Sequence, residues 1–138
     1  MRHEVTVAID ATAARVWAIL ADVEQWPSWT ASVRRVELAG PFAVNSVARI
    51  RQPKLGRAAW TITELDPGHS FTWRSTALGI RSVATHLVTP TGEGTCDVTL
   101  GIDQTGPLAG LAAGLYGGLT KRYMQMEADG LAAVAARP

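Results

Sequence analysis

Short turns between strand-like segments constrain the fold of this chain most strongly. Between residues 33 and 104, β-forming segments alternate with turn signals such as Gly40-Pro41 and Pro67-Gly68. These turns are too short to contain the crossover helices that parallel neighbours require, so we predict an antiparallel sheet. The predicted strands are 33–38, 46–52, 58–65, 70–76, 80–89 and 95–104.

A seventh strand and two short helices are predicted before this sheet. Residues 5–9 alternate apolar with small or polar side chains, which predicts a half-buried strand. Thr12 or Asp10 can cap the helix that follows, and a second short helix should end near an elbow at Trp26-Pro27. Helices this short must pack on a larger element, and the predicted sheet supplies one.

The chain changes period after Gly106-Pro107. Apolar residues from Leu108 to Val134 recur at helical spacing, which predicts one helix of close to thirty residues. Four glycines interrupt its first half, and each costs about 1 kcal/mol relative to alanine. We expect these glycines to serve either close backbone packing or space for a ligand; they are Gly110, Gly114, Gly117 and Gly118.

The order of these elements, together with several sequence blocks, resembles the START-like helix-grip (SRPBCC) superfamily that includes the birch pollen allergen. The blocks are VWAILADVEQWPSW (16–29), VRRVEL (33–38) and WTITELDPGHSFTWRS (60–75). Within the superfamily the chain is most similar to the polyketide cyclase/dehydrase-like branch. The resemblance implies an α+β helix-grip fold over residues 1–138 as a single domain. A curved seven-stranded antiparallel sheet would wrap around the long C-terminal helix, with two short helices after the first strand.

Composition narrows the classes of function. The 13 basic and 12 acidic residues give a net charge of +1, and no basic cluster exceeds a pair, so we do not expect a nucleic-acid partner. No apolar run is long enough for a membrane span, and the N-terminus lacks a secretion signal, so the expected location is the cytoplasm. The single cysteine, Cys96, excludes an intrachain disulfide. We expect no cofactor, and either a monomer or a homodimer.

Few residues suggest chemistry. His86 is the only histidine inside a predicted strand, and no second histidine has metal-ligand spacing, so no metal site is predicted. The sequence has no nucleophile elbow and no phosphate-binding loop. Asp97 and Asp103 alternate with apolar residues of their strand and are expected to face water.

The aromatic residues predict a pocket. Trp60 shares strand parity with Ile62, and Trp73 shares it with Phe71, so large aromatic side chains point to the face that the long helix would cover. Two tyrosines and two leucines follow one stripe of that helix. The predicted ligand-binding residues are Trp29, Trp60, Trp73, His86, Leu115, Tyr116, Leu119 and Tyr123.

The function is implied by the family resemblance and not by any single motif. It implies binding of a small hydrophobic ligand, lipid-like or aromatic, in a cavity between the sheet and the C-terminal helix. One alternative is an enzyme of the polyketide cyclase/aromatase type, for which His86, Tyr116 and Tyr123 are the catalytic candidates. A second alternative is a protein-interaction module.

Overall fold

The computed structural model describes residues 1–138 and contains one sheet and three helical segments. The first helical segments are α1 and a 3-10 helix, and the last is the long helix α2. The elements in chain order are β1 (Arg2–Ile9), α1 (Ala13–Ala21), the 3-10 helix (Val23–Ser28), β2 (Arg35–Ala39), β3 (Val47–Gln52), β4 (Gly56–Asp66), β5 (Ser70–Ala77), β6 (Ile80–Gly92), β7 (Thr95–Thr105) and α2 (Ala109–Ala135).

All seven strands form one sheet in the order β1-β7-β6-β5-β4-β3-β2, and every neighbouring pair is antiparallel. The strands β2 to β7 are joined as consecutive neighbours, whereas β1 pairs with β7. A bulge interrupts the pairing of β4 with β5 between Ile62 and Glu64. This arrangement confirms the predicted helix-grip fold, because the long helix lies on the face toward which the sheet curves.

The first short helix forms as its sequence predicts, and the second differs from the prediction. Thr12 caps α1, and its hydroxyl accepts a hydrogen bond from the Arg15 backbone N–H at 3.2 Å. The second segment is a 3-10 helix that contains Pro27 rather than an α-helix that ends before it. The Trp26 indole N–H donates to the Leu20 carbonyl at 2.9 Å, which fastens the 3-10 helix to α1.

The C-terminal half of α2 is packed tightly, and its N-terminal half is not. Ala128 and Leu131 are fully buried in the core. The Arg15 guanidinium on α1 donates to the Ala135 carbonyl at 2.7 Å and so holds the end of α2. Leu111 and Leu115, in contrast, are exposed. No helix in the structure is both long and apolar enough to cross a bilayer.

The glycines in the first half of α2 have neither of the two roles expected from the sequence, which were close backbone packing and space for a ligand. A methyl group built on Gly110, Gly114 or Gly118 would meet no atom within 4 Å, and all three residues are exposed, so these positions serve neither close packing nor an enclosed cavity. Gly117 is near only the Met1 sulfur. The glycine that does permit close packing is Gly130, because a Cβ there would collide with the Trp29 carbonyl oxygen.

Candidate functional site

A cavity of about 130 Å³ lies between the concave face of the sheet and the second half of α2. An engineered apolar cavity of about 150 Å³ binds benzene, so this space is of the size of one aromatic ring. Most of its walls are apolar, with polar groups at separate points. Its lining residues are Trp26, Val33, Ile50, Gln52, Leu55, Trp60, Trp73, Ser82, Ala84, Thr85, His86, Leu100, Gly101, Ile102, Gln104, Thr120, Tyr123, Met124 and Glu127.

Three tryptophans form the aromatic wall of this cavity. Trp60 on β4 and Trp73 on β5 point to the concave face, and their ring centroids are 6.0 Å apart. Trp26, from the 3-10 helix, lies 5.3 Å from Trp73 at a tilt of 53°. The alternation along each strand places Trp60 and Trp73 on this face, and the elbow after α1 brings Trp26 over them. Such tilted packing is a favourable arrangement of aromatic rings.

His86 lies on β6 among these rings and is held in one orientation. Its ring stacks on Phe71 with a centroid distance of 4.0 Å and an angle of 6°, and its Nδ1 lies 3.2 Å from the Phe71 carbonyl oxygen. A carbonyl oxygen only accepts, so Nδ1 carries the proton and Nε2 remains an acceptor. Burial lowers the pKa of His86 to about 4, against the opposing effect of the hydrogen bond to Phe71. The ring is therefore neutral at pH 7.

Glu127 is the acidic residue on the helical side of the cavity. It lies on α2 and lines the cavity one turn after Tyr123. Burial raises the pKa of Glu127 to about 7, and a hydrogen bond from the Ser32 side chain partly opposes this shift. Ser32 is itself fully buried, 2.7 Å from the Thr30 hydroxyl. Near neutral pH the carboxyl group is consequently present both as a donor and as an anion.

Glu127 is not among the residues predicted from the sequence. The available signal was its position four residues after Tyr123, which places both side chains on one helical face. Thr120 and Met124 complete the same face at spacings of three and four residues. A charged residue on an otherwise half-apolar stripe of a helix that covers a sheet is a candidate for a buried polar function.

One side of the cavity is closed by a contact between α2 and the turn that joins β3 to β4. The Tyr123 hydroxyl donates a short hydrogen bond to the Pro53 carbonyl oxygen. Leu55 in the same turn lines the cavity and is exposed, so the cavity meets solvent here. Lys54 adopts a positive φ of 67°, which shapes the turn. This turn and Tyr123 together border the entrance.

The structure brings together four of the eight residues selected from the sequence: Trp60, Trp73, His86 and Tyr123 line the cavity. The other four, Trp29, Leu115, Tyr116 and Leu119, do not.

Trp29 lies behind Trp26, with ring centroids 5.5 Å apart, and its buried indole N–H has no hydrogen-bond partner. The selected residues of the first half of α2 lie outside the cavity for a different reason. This helix begins beside Gly79, at the turn between β5 and β6, and only residues from Thr120 onward lie over the cavity. Helical spacing alone does not show where a helix crosses a sheet edge.

The structure contains no group of three or more histidine, cysteine, aspartate or glutamate side chains arranged to hold a metal ion. The cavity offers aromatic faces, the His86 Nε2 acceptor, the Glu127 carboxyl group and several hydroxyl and amide groups, which belong to Gln52, Ser82, Thr85, Gln104 and Thr120. It can hold an apolar ring and can donate to or accept from a polar substituent.

The chain matches a known protein family over almost its whole length. The sequence pattern of the family described as polyketide cyclase / dehydrase and lipid transport matches residues 2–136. A search of the curated proteins finds no match.

Solved structures show the same fold at low sequence identity. The Zhui aromatase/cyclase from Streptomyces sp. R1128 has a TM-score of 0.81 at 18% identity, over 98% of this chain and 93% of that chain. Truncated norcoclaurine synthase from Thalictrum flavum has a TM-score of 0.79 at 14% identity, over 100% and 94%. A protein of Thermus thermophilus has a TM-score of 0.76 at 22% identity, over 96% and 95%. At these identities the likeness concerns the fold alone.

Proposed function

Because the chain belongs to the polyketide cyclase/dehydrase and lipid transport family, we propose that it reversibly binds a small aromatic molecule in the cavity beneath α2. Family membership supports ligand binding or a cyclase role in general terms. The cavity volume of about 130 Å³ supports the narrower choice, because it suits one ring and not an extended acyl chain. Trp26, Trp60 and Trp73 would contact the faces and edges of that ring.

Of the polar groups that line the cavity, His86 and Glu127 favour particular substituents on the ligand. His86 Nε2 accepts a hydrogen bond, and the Glu127 carboxyl group donates one while protonated. A ligand without polar atoms would leave His86 Nε2 desolvated and unpaired, at a cost of about 1–3 kcal/mol, and would leave the Glu127 carboxyl group with only its hydrogen bond from Ser32. A phenol or an aryl carbonyl compound is thus preferred over a plain hydrocarbon of the same size.

Calorimetric titration with phenol, benzaldehyde and toluene tests this proposal. Phenol and benzaldehyde should bind more tightly than toluene, and each should change tryptophan emission because the rings line the cavity. Ala84→Leu fills the cavity from β6 and should abolish binding, whereas Ala59→Leu on the exposed outer face of β4 is the matched control. Equal affinity of both variants for every probe would refute a site beneath α2.

A second function, acid–base catalysis on a carbonyl compound, is favoured by one specific observation. A neutral histidine with a free acceptor nitrogen and a carboxyl group with a pKa near 7 line the same small cavity. Such a pair can remove a proton next to a carbonyl group and return one to oxygen, as the cyclisation of keto compounds requires.

Exchange of the methyl protons of acetophenone for deuterium, followed by NMR, tests this second function without knowledge of the natural substrate. Glu127→Gln and His86→Gln should each lower a protein-dependent exchange rate by about 10²-fold or more. Binding of phenol with no exchange above the solvent rate would leave the protein as a carrier.

A further inference from the structure

Five of the eight exposed large apolar side chains lie in the turn between β5 and β6 or at the start of α2. We call this set the apolar tip; it consists of Leu78, Leu108, Leu111, Leu115 and Tyr116. Leu78 is 86% exposed, and Leu111 and Leu115 are 62% and 68% exposed. Single exposed apolar residues are ordinary, but a cluster on one surface marks an interaction site.

The apolar tip is continuous across two elements. The Leu108 N–H donates to the Gly79 carbonyl at 3.4 Å, and its side chain lies against Gly79 in the turn between β5 and β6. Leu108, Leu111 and Leu115 follow at intervals of three and four residues, which places them on one face of the start of α2. The turn and the helix thus present one apolar surface, and no residue of the chain covers it.

Leu78 is the residue of this surface that the fold explains least. It adopts a positive φ of 54°, a conformation that glycine or asparagine takes with less strain. It is also the most exposed large apolar side chain of the protein. Neither the backbone conformation nor packing within the chain explains a leucine at this position.

Basic side chains outnumber acidic ones around the apolar tip, and the acidic side chain on the adjoining strand is Asp103 of β7, which pairs with Val83. Residues 67–92 and 104–126, which contain the tip, include no aspartate or glutamate, although the whole chain carries 12. The same two segments contribute Arg74, Arg81, Lys121 and Arg122, all exposed. An apolar surface with a cationic border complements a partner that is apolar inside and anionic at its surface.

We propose that the apolar tip docks on the surface of an anionic lipid bilayer. Leucines would enter the boundary between headgroups and acyl chains, and the basic residues would contact lipid phosphates. A second copy of the chain is a poorer occupant, because a symmetric contact would bring the two cationic borders together. The proposal concerns a surface outside the cavity and does not depend on the proposed ligand.

Co-sedimentation with vesicles tests the docking surface. The full chain should bind vesicles of equal parts phosphatidylglycerol and phosphatidylcholine, and bind pure phosphatidylcholine far more weakly. The double variant Leu111→Glu/Leu115→Glu should lose more than about tenfold in partition, because two apolar contacts become anions. Lys121→Gln should weaken binding about fivefold, the ratio for about 1 kcal/mol per basic residue.

Leu87→Glu is the matched control, since Leu87 is an exposed leucine on β6 outside the apolar tip. Phenol titration of the same variants reports on the cavity separately, so loss of vesicle binding with intact phenol binding isolates this surface. Three results would overturn the proposal: no binding to anionic vesicles, equal losses in Leu87→Glu, or a dimer in solution that Leu115→Glu dissociates.

Discussion

Two titratable side chains in one cavity have pKa values shifted in opposite directions. Glu127 binds its proton more tightly in the folded protein, and His86 binds its proton less tightly. Both shifts have burial as their largest cause, because a low-dielectric surrounding disfavours the charged form of either group. At the residue scale, the cavity is therefore adapted to neutral forms of both side chains.

Replacement of Glu127 by glutamine should remove a loss of stability at alkaline pH. The ordinary pKa of 4.5 rises to about 7 on folding, so the folded state holds the extra proton between these values. Stability from this group is present below pH 4.5 and is lost as the pH rises through 7, by up to about 3 kcal/mol. Urea unfolding should show Glu127→Gln more stable than the unmodified protein at pH 8 and similar at pH 5. Glu93→Gln, in an exposed turn, should show no such difference.

The Glu127→Gln variant should reveal how protonation of His86 affects stability. The pKa of this histidine falls from 6.5 to about 4 on folding, so the unfolded chain takes up its proton first. Stability is consequently lost as the pH falls from 6.5 toward 4, the reverse of the Glu127 trend. In the unmodified protein the two trends offset each other between about pH 4.5 and 6.5. Glu127→Gln should weaken on acidification across this range, and a second substitution, His86→Gln, should abolish that weakening.

At the scale of elements, the two halves of α2 differ in how closely they pack against the rest of the protein. Gly114→Ala should raise the free energy of unfolding by about 0.5–1 kcal/mol, because the methyl group meets no neighbour and the helix gains propensity. Phenol affinity should not change, since Gly114 does not line the cavity. Gly130→Ala is the contrasting variant and should destabilise by about 1–3 kcal/mol or more, because its methyl group would collide with the Trp29 carbonyl. Thermal unfolding of both variants measures these changes, and a loss of stability in Gly114→Ala would contradict the open space around that residue.

The hydrogen bond from Tyr123 to Pro53 joins α2 to the turn between β3 and β4. Tyr123→Phe should cost about 1 kcal/mol of stability and loosen this border of the cavity. We expect faster dissociation of phenol with a smaller change in the ring contacts. Stopped-flow tryptophan emission measures the dissociation rate. Tyr116→Phe, on the exposed part of α2, is the control, and an equal effect there would contradict a role for the entrance contact.

At the scale of the whole molecule, the distance between sheet and helix limits the size of a molecule that the cavity can hold. The cavity of about 130 Å³ excludes two fused rings unless a wall is removed. Trp60→Leu should enlarge it and allow 2-naphthol to bind, with a loss of phenol affinity. Trp29→Phe, which changes a ring outside the cavity, should leave the preference for phenol unchanged. Calorimetry with both probes would contradict this account if the two variants shifted selectivity alike.

The sequence by itself determined most of the elements and the antiparallel direction of neighbouring strands. Alternation along β4 and β5 placed Trp60 and Trp73 on one face, and the short turns required antiparallel neighbours, because both follow from local backbone geometry. Tertiary structure decided what each side chain meets. It placed Trp29 behind Trp26, left Leu115 and Tyr116 exposed where α2 begins at the edge of the sheet, and enclosed Glu127 in the same cavity as His86. Those outcomes depend on where a helix crosses a curved sheet, and helical periodicity fixes the face of a residue but not its position along that crossing.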